Sequence, residues 1–157
     1  MRHIQLYTVI LVTAVTVCFS TPAIAQIANP VKWSFTSKKI GAGTYELHIT
    51  ATIDAGWHLF AQEAGEGPTP TTFKFAKNPL VTPTGKVKES GKLQKKFDKS
   101  FDAELKYYED KVDFIQKVTV KGKTATTVKG SVEFMTVDSR QALPPKQIEF
   151  AITLGGS

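Results

Sequence analysis

The sequence predicts an all-β domain of two antiparallel sheets packed as a sandwich, and three observations carry that expectation. Apolar and polar residues alternate with period two in several segments, most clearly from Tyr45 to Asp54. About eight such segments are separated by turn-forming residues. No segment beyond the first 25 residues has a helical period, and there are no internal repeats. Short half-apolar strands can bury their apolar faces only against a second layer.

Residues 1–25 are expected to be an export signal rather than part of the fold. Arg2 and His3 form a polar start, Leu6 to Phe19 is apolar with scattered Thr, and Ala23-Ile24-Ala25 is an A-x-A cleavage signal before Gln26. The apolar run falls short of the ~20 residues that a membrane span needs. Cleavage after Ala25 is therefore expected, and with it a periplasmic or secreted location; an uncleaved, membrane-anchored form is the alternative. The only cysteine, Cys18, lies inside this segment, and Val17 before it is not the small residue of a lipoprotein signal.

Residues 26–157 then make one domain. Such a chain can bury roughly two-thirds of its unfolded surface, enough for a core without staples. It has no cysteine, although an exported protein could have used disulfides. Its charge, 19 Lys and Arg against 14 Asp and Glu, is a modest positive excess read as spread along the chain, which favours acidic partners only weakly.

In order, Val31, Trp33 and Phe35 alternate with Lys32, Ser34 and Thr36 as a first strand. The Gly41-Ala42-Gly43 turn leads to Tyr45, Leu47, Ile49, Ala51 and Ile53 on one face and Glu46, His48, Thr50, Thr52 and Asp54 on the other, a sheet strand with one wet face. Asp54-Ala55-Gly56 breaks it, and Trp57-His58-Leu59-Phe60 restarts it. Gly65 to Pro70 reads as a loop, because proline cannot donate to a ladder. Phe73 and Phe75 mark a short strand. From Lys77 to Ser100 the apolar period is lost and lysine is frequent, so a solvated hairpin or irregular connection is expected. Phe101, Ala103, Leu105 and Tyr107 restore order, Tyr108-Glu109-Asp110-Lys111 is expected to turn the chain, and Val112, Phe114, Val118 and Val120 form the next strand. Gly122-Lys123 turns it into a long strand from about Thr124 to Met135.

Val132 and Phe134 on one side, and Ile148, Phe150 and Ile152 on the other, place two strands around a compact turn that ends in Pro144-Pro145. Several chemistries can be weighed on the residues. Ser139 beside Asp138 could combine with His48 or His58, but no G-x-S-x-G elbow is present and a turn-forming serine is the simpler reading. Residues 26–157 hold two histidines, no cysteine and no H-x-x-x-H spacing, which argues against a metal, and His48 is read as facing solvent. Lys86 to Lys99 includes Glu89 and Asp98 and has no ring before Phe97, so a solvated loop is expected rather than a nucleic-acid surface. The rings Trp57, Phe60, Phe97, Phe101, Tyr107 and Tyr108 are either sandwich core or anchors for a protein partner.

The run F-M-T-x-D-S-R-Q-x-L-P-P at Phe134 to Pro145, with W-H-L-F-A-Q at Trp57 to Gln62 and K-Y-Y-E-D-K-V at Lys106 to Val112, resembles the N-terminal periplasmic domain of the thiol:disulfide interchange protein DsbD family. The resemblance spans about Val31 to Leu154 and implies an immunoglobulin-like topology. In that family a cysteine pair before Pro-Pro shuttles between dithiol and disulfide, and an aromatic cap loop covers it. The corresponding positions here are Val137 and Ala142, and the cap corresponds to Phe97-Asp98-Lys99-Ser100-Phe101. Exchange requires a thiolate, so the family activity is not expected; Val and Ala keep the packing of small apolar groups.

The resemblance thus implies a non-catalytic binding module for another envelope protein. Trp57, Phe60, Phe97, Phe101, Tyr108, Asp138, Arg140, Pro144 and Pro145 are its candidate contact residues. No cofactor, metal or nucleic acid is expected. The family continues into membrane helices and a thioredoxin-like domain where this chain stops at Ser157, so a thiol oxidoreductase or membrane redox partner would be a separate molecule. Two alternatives stand beside this reading: an accessory subunit of a disulfide-reductase system, or a structural or ligand-carrying sandwich.

Overall fold

The computed structural model describes residues 28–99 and 101–155. The expected export signal, with Cys18 and the cleavage site after Ala25, lies outside the described residues, as does Ser100. Nine strands follow in order: β1 (Val31–Gly41), β2 (Thr44–Ile53), β3 (His58–Phe60), β4 (Thr72–Phe75), β5 (Val81–Asp98), β6 (Ala103–Val120), β7 (Thr126–Phe134), β8 (Thr136–Val137) and β9 (Lys146–Leu154). They form the expected two antiparallel sheets, with no helix among the described residues. The larger sheet runs β1-β2-β6-β3-β8 with β5 along the other side of β6; the smaller runs β4-β7-β9.

The alternation read in β2 decides the core. Leu47, Ile49, Ala51 and Ile53 are buried, and Leu47, Ile49 and Ala51 lie beside Gln116, Phe114 and Val112 of β6. The smaller sheet contributes Val128, Val132, Phe134, Phe150, Ile152 and Leu154 to the same core. Rings fill the space between: Trp33 stacks on Phe114 at 6.0 Å, Phe73 lies 5.0 Å from Phe114, and Phe35 stacks on Phe150 at 5.3 Å. Each large apolar side chain so buried stabilises the fold by roughly 1.5–3 kcal/mol.

Three segments differ from the sequence reading. Residues 135–145 are not one compact turn, because they leave the smaller sheet and place β8 beside β3 in the larger one. The lysine-rich stretch is the first arm of a long hairpin: β5 is 18 residues and pairs with β6 along its length. It shows no apolar period because it is an edge strand, most of whose side chains are exposed. Lysines and Pro83 on such an edge keep another chain from pairing with it. Tyr108 to Lys111 is not a turn. Gly91 pairs with Val112 and Leu93 with Tyr108, so Lys92 stands opposite three residues of a bulge inside a continuous β6, with Asp110 at φ 60°.

Candidate functional site

The site grows from the outer face of the larger sheet, the face turned away from the main core. On β3, Leu59 points into that core while His58 and Phe60 point outward, because successive strand residues face opposite sides. Leu59 pairs with Tyr108 and Thr136, whereas Phe60 pairs with Tyr107 and His58 with Val137. Phe60, Ala64 and Leu105 consequently form a second, smaller buried cluster, flanked by Ala103, Tyr107, Met135 and Val137.

Two loops wall this cluster. Residues 61–71 fold back over β6: the Ala61 N–H donates to Lys106 O at 3.0 Å, the Lys106 N–H to Ala64 O at 2.8 Å, and the Thr71 hydroxyl to Phe60 O at 2.5 Å. Glu89 clamps the loop to β5, accepting from the Gln62 N–H at 2.7 Å and the Tyr108 hydroxyl at 2.8 Å. Gly67, at φ 109°, lies directly under the Phe101 ring, where a Cβ would collide with it. The second wall is the turn after β8. Asp138 Oδ1 accepts from the N–H groups of Arg140 and Gln141 at 2.7 and 2.8 Å, and Arg140 Nη2 lies 3.6 Å from Asp138 Oδ2.

Between the walls is a half-open cavity of about 590 Å³. Phe60, Leu105 and Val137 give it an apolar floor, Phe101 and Tyr107 flank it, and Lys96, Asp98, Asp138 and Arg140 are its charged lining. Val137, half-buried at the floor, faces the exposed Ala142 across an isolated antiparallel bridge. The bonds that frame it, Asp138 N–H to Gln141 O and Leu143 N–H to Thr136 O, both 2.9 Å, make it a non-hydrogen-bonded pair. Such pairs hold their Cα atoms about 4.5 Å apart.

The electrostatics are local. The Arg140 amide, then the Gln141 amide and the Arg140 guanidinium, hold the Asp138 carboxyl below its usual range against an opposing desolvation. Burial, then the Glu109 charge, pushes the Tyr107 hydroxyl up. Tyr107 stacks on His58 at 4.3 Å, and His58 Nε2 is 2.9 Å from Glu109 Oε1.

The structure gathers only part of the candidate set. Phe60, Phe101, Asp138 and Arg140 line the cavity with Val137 and Ala142. Phe97 is the most exposed large ring, 57% accessible, on the hairpin arm outside that lining; Pro144 and Pro145 are exposed and also outside it. Tyr108 is not a contact residue as expected: at 2% exposure it packs edge-on against Phe114 in the main core and cannot touch a partner. Trp57 is half-buried against the same core and is not part of the cavity.

His58, Asp138 and Ser139 do share the cavity, but His58 is paired with Glu109 and the Asp138 carboxylate is taken by backbone amides, so no Ser-His-Asp relay forms. His48, expected in solvent, is half-buried, with its Nδ1–H donating to Asp113 Oδ2 at 2.6 Å. No group of three or more His, Cys, Asp or Glu could hold a metal among the described residues. Leu105, Lys96 and Glu109 were not singled out by sequence reasoning. The signal available for Leu105 was its parity, out of step with Tyr108 and Val112 across the bulge.

No protein-family model matches the sequence, and no curated protein matches it. Among solved structures, the fold is similar to the N-terminal periplasmic domain of ScsB from Proteus mirabilis, with a TM-score of 0.51 and 11% identity over 79% of this chain. The chain spans 44% of that domain's length. It is equally similar to the reduced DsbD N-terminal domain of Neisseria meningitidis, with a TM-score of 0.51 and 17% identity over 78% of this chain and 86% of that one. At these identities the likeness is one of fold, the immunoglobulin-like β-sandwich.

Proposed function

We propose that this chain is a cell-envelope module built on the scaffold of periplasmic thiol:disulfide interchange domains, which binds a protein partner and carries no electrons itself. The observation that supports this most is the Val137–Ala142 pair. It has the cross-strand geometry of a disulfide and lines an aromatic-flanked cavity, yet its side chains offer no thiolate. What the site retains is a recognition surface. Phe101, 42% exposed over Gly67, offers a ring at the cavity's mouth, and Arg140, whose side chain is 83% exposed, offers a planar donor fork. The fold likeness to periplasmic domains supports a thiol oxidoreductase as the partner class and a periplasmic location.

Capture of envelope proteins on the purified mature chain tests the proposal. Phe101→Ala and Arg140→Ala are expected to lose the captured partner at least about tenfold, the loss of a ~1.4 kcal/mol contact. An unchanged captured set sinks the assigned surface. Thiol trapping then separates passive binding from an accessory role, because an accessory subunit requires the partner's redox state to change when this protein is removed.

The open space beside Val137 favours a second reading, a carrier of a small ligand with an apolar body. Native mass spectrometry would then find a bound adduct in the wild type that Ala142→Trp expels.

A further inference from the structure

A different surface lies at the other end of the sandwich, and it is independent of the cavity. Three strand connections, 39–44, 77–81 and 120–126, meet there: the Val120 N–H donates to Gly43 O at 2.7 Å and the Lys121 N–H to Leu80 O at 2.8 Å. Lys39, Lys123 and Gly155 line one concavity between them. β2 runs from this end to the cavity end, and its ten residues set the two about 30 Å apart.

The positive charge is not spread along the chain as its count suggests; the fold collects it here. Segments 36–45, 74–88 and 117–129 carry ten lysines and no aspartate or glutamate. Glu46, one step inward, stands between Lys38 and Lys117 in the sheet. The ion pairs Lys32–Asp54, Lys95–Glu104, Lys106–Glu63 and Arg140–Asp138 lie elsewhere. Lys39, Lys77, Lys121 and Lys123 are exposed and form no ion pair among the described residues.

Two aliphatic side chains project among these cations. Ile40, 41% exposed, is the extra residue of the irregularity between Lys39 and Gly41, so it has no cross-strand partner. Leu80, 40% exposed, follows Pro79 on a turn held by its own N–H to Asn78 Oδ1 at 2.9 Å. Cations around exposed aliphatic tips suit a surface that is anionic outside and apolar just beneath. A nucleic acid would use the lysines but leave Ile40 and Leu80 without a role, and the exposed rings that could stack on bases, Phe97 and Phe101, belong to the β5–β6 hairpin tip at the cavity end.

We propose that this end of the domain binds the surface of an anionic phospholipid bilayer. Lys39, Lys77, Lys121 and Lys123 engage headgroup phosphates while Ile40 and Leu80 enter the headgroup–acyl boundary. Seated this way, the domain holds the Val137–Ala142 cavity away from the bilayer and open to partners.

Sedimentation of the mature protein with vesicles tests this. Binding is expected on phosphatidylcholine vesicles that contain phosphatidylglycerol, little on phosphatidylcholine alone, and a decline as salt rises past ~0.1 M, where screening acts within about 10 Å. Lys121→Gln with Lys123→Gln should weaken partitioning about 30-fold, from ~1 kcal/mol per lysine at an anionic surface. Ile40→Ser with Leu80→Ser should weaken it at unchanged charge. Thermal unfolding checks that both variants keep the wild-type fold, as their exposed positions require. Equal or absent binding on the two vesicle types overturns the proposal. So does a serine variant that binds anionic vesicles as well as the wild type, which would leave a general polyanion patch.

Discussion

Val137 and Ala142 face each other across a two-bond frame, with Asp138 N–H on Gln141 O and Leu143 N–H on Thr136 O, in the non-hydrogen-bonded register of an antiparallel pair. The expected Cα separation of about 4.5 Å falls within the ~4.4–6.8 Å that a disulfide spans. Val137→Cys with Ala142→Cys is therefore expected to close a disulfide in air without denaturant. Mass spectrometry after alkylation should show the loss of two hydrogens, and thiol labelling should appear only after reduction. Two freely labelled thiols in the folded, air-exposed protein would show that the frame does not hold the pair as described.

Gly67 and Phe101 form the contact that keeps the cavity's mouth in place. Alanine at position 67 meets both a left-handed backbone at φ 109° and the Phe101 ring. Gly67→Ala is expected to cost about 1–3 kcal/mol in strain and to displace the ring. The displaced ring should raise binding of a hydrophobic dye at the cavity. Adding Phe101→Ala should recover part of the loss, so the two changes will not be additive. Strict additivity in denaturant unfolding would place the ring elsewhere.

Glu89 links the 61–71 loop to the core through the Gln62 amide and the Tyr108 hydroxyl. Losing a charged acceptor from both bonds is expected to cost Glu89→Ala about 2 kcal/mol, with Glu89→Gln nearer the wild type. Desolvation, then the Glu89 hydrogen bond and charge, pushes the Tyr108 hydroxyl above its ordinary value. The sign follows: a raised folded value gives stability that is complete below about pH 10 and lost as pH rises past it. Ultraviolet titration should show Tyr108 resisting ionisation until well above that point, and Glu89→Gln should bring ionisation to lower pH. Ionisation of Tyr108 at the ordinary phenol value in the folded wild type would mean that the bond is not made.

Much of the fold was legible locally. Leu47, Ile49, Ala51 and Ile53 announced a half-buried strand, and Gly41-Ala42-Gly43 and Gly122-Lys123 announced turns, whereas the compact turn read before Pro144-Pro145 hid a strand, β8, that joins the larger sheet. The lysine-rich arm was illegible because an edge strand keeps so little buried surface that its sequence carries no period; its pairing with β6 lies in backbone bonds that any residue with an N–H can make. The bulge at Glu109 to Lys111 read as a turn because charged residues interrupt the alternation in both cases, and only the register against Lys92 distinguishes them. That same bulge hid the site. Leu105 and Tyr107 alternate as well as any core strand, yet they face outward beside Phe60 while Tyr108 faces the core.

What the sequence by itself determined is the sandwich and the absence of sulfur at positions 137 and 142, since period-two alternation and the lack of a thiol are local properties of residues. Only the tertiary structure decided which face each strand turned outward, which rings were left at the surface, and where the lysines collected. Those outcomes depend on register and on loops that join residues far apart in the chain, and no local pattern encodes them.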